Sequence, residues 1–284
     1  MIEVRDDFAV FILCYGRPQK CLTYNTLKKC NYTGKYYLVL SDDDKKLNEY
    51  IETYGKEHTL IFNKEDVNFD CMDTFGNKKC VVYARNACFD LAKKVGVRYF
   101  LELDDDYTEI RYRFNYNNSL SSRYCLDADE LFELMINLLN SSDQLYSVAL
   151  AQTGDYIGGI GSGMMKGRTI RKVMNSFFCD THKPFNFIGT FNEDVNTYTY
   201  IQSTGKTFLT IQKASINQLD TQQNTGGMTD IYNEFGTYVK SFYTVLCSPS
   251  SVKLNMMGDT HYRIHHNVMW NNAVPKIISG RYKK

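Results

Sequence analysis

The apolar positions of the first hundred residues come in short blocks that alternate between two periods. Residues 8–13, Phe-Ala-Val-Phe-Ile-Leu, form an unbroken apolar run of strand length, the pattern of a parallel strand covered on both faces. Tyr15-Gly16-Arg17-Pro18 ends it in a turn. The same reading predicts a helix over 19–29, a strand over 36–40 that stops at Ser41-Asp42-Asp43-Asp44, a helix over 45–54 and a third strand over 58–62. The clearest helix runs over 82–95, where Ala84, Ala87, Cys88, Leu91, Ala92 and Val95 recur at spacings of three and four and Gly96 supplies the stop. It leads into an aromatic, apolar strand, Arg98-Tyr99-Phe100-Leu101-Glu102-Leu103, which delivers Asp104-Asp105-Asp106 where the strand should end. Strand–helix alternation with short links predicts right-handed crossovers and a mostly parallel sheet flanked by helices.

Past residue 110 the pattern becomes mixed. Asp127-Ala128-Asp129-Glu130 is a capping start for a helix bearing Leu131, Leu134, Met135, Leu138 and Leu139, and 146–151 reads as another strand. Six glycines fall in 154–167, which suits a loop beside a ligand; the Lys-Ser ending of a nucleotide P-loop is missing. No repeat or Pro/Gly linker divides the 284 residues, so one domain is expected, with residues 1–110 as an alternating half and 111–284 as a half of mixed structure.

Composition narrows the class. The chain is 43% hydrophobic with four prolines, as an ordinary packed protein is, and no run approaches the ~18–20 apolar residues of a membrane span. Met1-Ile2-Glu3-Val4-Arg5-Asp6-Asp7 is too charged for a secretory signal, so a cytoplasmic protein is expected. Nine cysteines without a Cys-x-x-Cys pair speak against structural zinc and for reduced, packed thiols. The net charge of +1 does not advertise nucleic-acid binding. From Ser251 onward, however, six basic residues face the single acid Asp259, and Arg111, Arg113 and Arg123 follow the aspartate run.

Carboxylates at the C-terminal edge of an α/β strand sit where ligands bind. Asp104 and Asp106, on alternate positions, can point the same way and hold a hard divalent cation that bridges a diphosphate, which makes a sugar nucleotide the natural occupant. Asp42-Asp43-Asp44 shows that the chain also makes plain acidic turns. Three further clusters should meet this edge. Tyr15 can stack on a base and Arg17 can fork onto phosphate oxygens; Asp42 and Asp43 can accept bonds from a base or ribose. Arg85 and Asn86 fall off the apolar face near a helix N-terminus, where anionic ligands are favoured. In Phe191-Asn192-Glu193-Asp194 a carboxylate can act as general base for an acceptor hydroxyl, and the same residues suit a helix N-cap equally well. Near the end, His261 and His265 would share a face if helical, as a zinc pair does, and one of His265 and His266 can complete the Asp106 metal site.

In this order the clusters resemble the GT-A class of nucleotide-sugar glycosyltransferases. More closely, the chain resembles the TET-associated, base J-type DNA glycosyltransferases of bacteriophages and kinetoplastids. Cys14-Tyr15-Gly16-Arg17-Pro18, Ala84-Arg85-Asn86, Leu103-Asp104-Asp105-Asp106-Tyr107, Asn192-Glu193-Asp194, Thr225-Gly226-Gly227-Met228, Arg263-Ile264-His265-His266 and Val274-Pro275-Lys276-Ile277 carry the match.

The resemblance implies a GT-A, Rossmann-like fold and transfer of a sugar, glucose above all, from a UDP-sugar to the hydroxymethyl group of hydroxymethyluracil or hydroxymethylcytosine in DNA. Tyr15, Arg17, Asp42, Asp43, Arg85, Asn86, Asp104 and Asp105 would then hold the nucleotide sugar. Asp104 and Asp106 with His265 or His266 would hold Mn²⁺ or Mg²⁺, and Asp194, with Glu193 as runner-up, would be the base of an inverting displacement. Gly159, Gly161, Gly226, Gly227 and Arg263 would line the acceptor side. A phage-encoded enzyme of this kind works in the host cytoplasm. The alternatives are a similar transferase with a carbohydrate or lipid-linked acceptor, a nucleotidyltransferase, and a binding module that has lost its chemistry.

Overall fold

Six consecutive apolar residues need a covering layer on each side. The computed structural model, which describes residues 5–73, 76, 78–167, 172, 174–218, 236, 238–258 and 263–273 (backbone alone at Met257 and Arg263), supplies both. Strand β1 (Phe8–Leu13) is buried along its whole length and pairs in parallel with β2 (Lys35–Ser41) and β4 (Tyr99–Asp104), and β2 pairs in parallel with β3 (Thr59–Phe62). Helices α1 (Leu22–Lys29), α2 (Leu47–Tyr54) and α3 (Val82–Lys94) make the crossovers.

The rest of the sheet is mixed. It continues through β5 (Tyr107–Tyr116), β6 (Ser119–Tyr124), β7 (Leu145–Gln152), β8 (Ser176–Asp180) and β9 (Thr207–Gln218), in the order β3-β2-β1-β4-β8-β7-β9-β5-β6. β8 is antiparallel to β4 and β7, β9 is parallel to β7, and β5 is antiparallel to both β9 and β6. The parallel N-terminal part and mixed C-terminal part are those the alternation predicted.

The pleat sorts side chains into two cores. Phe8, Val10, Ile12, Leu101 and Leu103 pack toward α1, α2 and α4 (Ala128–Asn140). Ala9, Phe11, Leu13 and Phe100 pack toward α3 and α5 (Glu193–Ser203). Near the C-terminus, α6 (Val239–Cys247) packs on an antiparallel pair, β10 (Val252–Met257) and β11 (Arg263–Val268).

Some local expectations change. The helix predicted from residue 19 begins only at Leu22, after a 3₁₀ turn at Pro18–Lys20. Asp127 makes no cap bond; it accepts from Tyr112 Oη at 2.7 Å instead. Leu134 points to solvent rather than into the core. The histidine segment is a strand, so His265 has no helical face to share with His261, which lies outside the described residues.

Phe100 packs between Phe11, with centroids 5.3 Å apart, and Phe89 at 5.0 Å. Phe100→Ala should cost about 3–5 kcal/mol in urea unfolding. Leu134→Ala should change stability by less than ~0.5 kcal/mol, and a larger loss there would place its side chain in the core after all.

Candidate active site

Strand alternation decides the site. Phe100, Glu102 and Asp104 project to the α3/α5 side of the sheet, so two carboxylates enter a layer otherwise filled by apolar side chains. The layer supplies one cation for them. Arg85, on α3, is 1% exposed and lies over the rings of Phe177 and Phe187. Its Nε donates to Glu193 Oε1 at 2.9 Å, its Nη2 to Asp104 Oδ1 at 3.0 Å, and its Nη1 lies 3.6 Å from Glu102 Oε2. Burial opposes the charge on Arg85, but the three carboxylates outweigh it and hold the guanidinium protonated. One cation does not neutralise three acids: burial pushes Glu102 up to about 8 against the pull of Arg85, and Asp104 up to about 6. Arg85 therefore fixes carboxylates and is not free to take a diphosphate, which corrects the expectation for it. Asn86 is likewise engaged: its Nδ2 donates to Phe187 O at 3.0 Å and its Oδ1 accepts from Phe187 N at 2.8 Å, clamping α3 to the 185–188 segment.

The aspartate turn is pinned by α1. Thr23 Oγ1 donates to Asp104 O at 2.5 Å and accepts from Tyr107 N at 3.0 Å, Thr23 N reaches Asp105 O at 3.2 Å, and Thr26 Oγ1 donates to Tyr107 O at 2.9 Å. Asp105 points to the other side, buried, with Arg17 Nη2 at 2.7 Å on its Oδ1. Burial lifts it to about 7 although Arg17 pulls the other way. Asp105 is thus the anchor of Arg17 rather than a ligand-facing group. The turn 15–17 is held by Asp44, which accepts from Gly16 N at 2.7 Å, and by Tyr50 Oη, which accepts from Arg17 N at 2.9 Å. Asp43 takes both of its bonds from Lys64 Nζ, at 2.9 Å, and Lys64 also lies 4.9 Å from the Tyr15 ring centre. Burial would raise Asp43, but the bonds and charge of Lys64 oppose it and it is held low. Asp42 and the Tyr15 ring stand exposed at this edge.

Asn192 starts α5 in the left-handed region, φ 51°, and does not cap it. Its Nδ2 instead reaches Lys240 O at 3.1 Å and Thr244 Oγ1 at 3.0 Å on α6, and lies 3.3 Å from His266 Nδ1 on β11. Glu193 and Asp194 follow, both buried. Glu193 is tied to Arg85, whereas burial, reinforced by the charge of Glu193, raises Asp194 to about 7. Gly189, ahead of this turn, has φ +84°, and a Cβ there would lie 2.5 Å from Asn196 Nδ2 and 2.7 Å from Tyr243 Cε1, so no other residue fits.

The donor set suits a hard divalent cation. Asp106 lies close enough for its charge to help raise Asp104, and Asp106 Oδ1 is buried with no hydrogen-bond partner. Ions of the Mg²⁺ type take one or two carboxylates and complete their shell with phosphate oxygens and water. The four-residue set of Asp104, Asp106, His265 and His266 is not assembled: among the described residues no three His, Cys, Asp or Glu side chains converge as a metal-holding group. β11 sets His266 against Asn192, and burial together with His265 lowers it to about 4, which keeps it neutral. Gly159 and Gly161 form a 3₁₀ turn that packs against β6, with open space where their side chains would be. Gly226 and Gly227 lie outside the described residues, as does the side chain of Arg263.

Glu102, Thr23, Asp44 and Lys64 were not singled out as site residues from the sequence, and Asn192 was read as an N-cap rather than as a tie to α6 and β11. Glu102 had a signal, a carboxylate inside an apolar strand; the others depend on chain crossings that no local pattern encodes.

Arg85→Met should leave three buried acids without their cation, at about 3–5 kcal/mol. In that variant the acids fold with pKa values above their unfolded ones, so stability is present at low pH and lost as pH rises. With Glu102 already at about 8, the Tm gap to wild type should widen from pH 5 to pH 8; a pH-independent gap would mean that packing, not charge, was lost.

Against this geometry the comparisons are specific in one respect. The family model described as TET-associated glycosyltransferase matches residues 8–227, from β1 through the whole sheet. No curated protein matches. Solved structures with related architecture include glucosyl-3-phosphoglycerate synthase from Mycobacterium tuberculosis in complex with Mn²⁺ and UDP-glucose, 7% identical over 91% of this chain and 85% of that one, TM-score 0.47. Another is GalNAc-T7 with UDP, GalNAc and Mn²⁺, 11% identical over 74% of this chain and 43% of that one, TM-score 0.40. With most of its length covered by the family model, the chain belongs to the TET-associated glycosyltransferases.

Proposed function

We propose that this glycosyltransferase moves a sugar, glucose, from a UDP-sugar to the hydroxymethyl group of a modified pyrimidine in DNA, by a single displacement with inversion. The observation that carries the chemistry is the bridge Arg85 makes between Asp104 at the end of β4 and Glu193 at the start of α5, which brings Asp194 within reach of the charges of Arg85 and Asp104. The TET association in the family's description supports a hydroxymethylated base as acceptor.

In this reading Tyr15 and Arg17 meet the uridine and its phosphates, with Asp42 beside them. Asp104 and Asp106 would hold Mn²⁺ or Mg²⁺, which would supply Lewis-acid stabilisation of the charge on a departing diphosphate. Asp194 accepts the proton of the acceptor hydroxyl while that oxygen forms its bond to the anomeric carbon and the bond from that carbon to the diphosphate breaks, releasing UDP. A carboxyl raised to about 7 is matched to this task, because it is strong enough as a base and still ionised near neutrality. Glu193, tied to Arg85, positions rather than reacts.

Asp106→Asn should abolish transfer with unchanged folding; retained activity would remove the metal assignment. Asp194→Asn should slow turnover by about 10²- to 10⁴-fold. In wild type, kcat/KM should fall as pH drops below about 7, where Asp194 takes up its proton, and the residual rate of the variant should lack that acidic limb. The reading as a whole is tested by incubation with Mn²⁺, a panel of UDP-sugars and DNA carrying hydroxymethyluracil or hydroxymethylcytosine, followed by mass spectrometry of the nucleosides. A hexose-sized gain on one modified nucleoside is expected. UDP release without that gain would overturn the DNA acceptor and leave the transferase.

A further inference from the structure

Resting on that reading, the β5–β6 hairpin supplies what the near-neutral composition withholds. β5 starts at Tyr107, directly after Asp106, and β6 is the edge strand of the sheet. The strands are joined by Asn117-Asn118, at φ 49° and 57°, the two-residue turn of a tight ribbon. Ten residues of β5 reach about 30 Å from the carboxylates at ~3.3 Å each. Beyond Tyr112 the ribbon leaves β9, and its outer part, exposed from Phe114 to Ser119, carries a ring that a solvated hairpin has no reason to show: Tyr116 is 64% exposed.

Its charge is one-sided. Between Tyr107 and Tyr124 the only acid is Glu109, and it is neutralised by Arg111 and bonded by Tyr124 Oη at 3.0 Å and Asn217 Nδ2 at 3.0 Å. Arg113 bonds neutral groups, Ser215 Oγ at 2.8 Å and Asn217 Oδ1 at 3.4 Å, and neither it nor the exposed Arg123 has an ion-pair partner among the described residues. The register puts them on opposite faces: Arg113 is across from Ser122, and Arg123 across from Tyr112. A flat surface would use one face. The DNA major groove, about 12 Å wide with phosphates on both walls, admits a two-stranded ribbon and uses both.

We propose that the β5–β6 hairpin inserts into the major groove of the acceptor duplex, with Arg113 and Arg123 on the phosphates of its two walls and Tyr116 against sugars or unstacked bases. The root of the ribbon lies at Asp106, so a base flipped from the held duplex enters at the catalytic carboxylates.

The test measures binding of a labelled duplex by fluorescence anisotropy across ~50–200 mM salt. The proteins are wild type, Arg113→Gln with Arg123→Gln, and Tyr116→Ser, each checked by circular dichroism and by acceptor-free hydrolysis of UDP-sugar. Loss of two phosphate contacts should flatten the slope of log K against log salt by about 1.8 and weaken binding about tenfold. Tyr116→Ser should weaken binding several-fold with the slope unchanged, and hydrolysis should stay at the wild-type rate in all three. If both variants bind with the wild-type affinity and slope while wild type glycosylates DNA, the hairpin assignment falls and the function stands. The assignment also falls if the variants change only the oligomeric state, since the edge strand would then pair with another copy. A wild-type protein that hydrolyses UDP-sugar and binds no DNA would instead overturn the acceptor reading beneath it.

Discussion

The rest of the site depends on burying Arg85. A guanidinium removed from water is tolerated only where its charge is met at close range, and here three carboxylates from two places in the chain meet it: Glu102 and Asp104 from β4, and Glu193 from α5. The requirement runs both ways. Without the cation, two acids on an inward face of β4 would carry a large desolvation cost; without the acids, α3 could not pack its Arg85 against Phe177 and Phe187. The network therefore fixes where α3, β4 and the start of α5 stand relative to one another. It leaves an excess of negative charge, which Glu102 relieves because its pKa of about 8 keeps it largely protonated at neutral pH.

Three consecutive aspartates accordingly have three different fates, set by the pleat and the turn. Asp104 faces the Arg85 layer and is half committed to it. Asp105 faces the opposite way and holds Arg17. Asp106, past the end of the strand, keeps a buried oxygen without a partner. Because α1 holds the turn by backbone carbonyls and hydroxyls, the side chains are not needed to fold it and remain available for chemistry. A turn held by its own carboxylates would have consumed the donors that a cation needs.

What the sequence made legible follows from the range of the forces involved. β1, β4 and α3 announce themselves because a buried strand and an amphipathic helix are written in local periodicity, and the aspartates at the end of β4 because a strand end is also local. The burial of Arg85 was misread: its i±3 and i±4 neighbours Val81, Val82, Cys88 and Phe89 are all apolar, but the acid that makes a buried guanidinium tolerable, Glu193, arrives only 108 residues later. Asn86 was misread for the same reason, since its partner Phe187 is 101 residues away. The histidine segment was ambiguous because six mixed residues suit a helix turn and a strand alike, and pairing with β10 decides it. The requirement for Gly189 was hidden in a close approach of Asn196 and Tyr243 that exists only in the folded chain.

The division of labour between Glu193 and Asp194 follows from helix geometry. Successive residues of a helix project about 100° apart, so two adjacent carboxylates at its start cannot both reach one guanidinium. Glu193, with the longer side chain, takes Arg85. Asp194 is left buried beside a fixed negative charge, with Arg85 only a secondary influence. Burial and like charge push in the same direction, so its affinity for a proton rises to the range that a base working at neutral pH needs. Exchanging the two residues would not exchange their roles, because an aspartate in the first position is one methylene short of the guanidinium. The order Glu-Asp at the start of α5 is thus a condition for having one carboxylate neutralised and its neighbour basic.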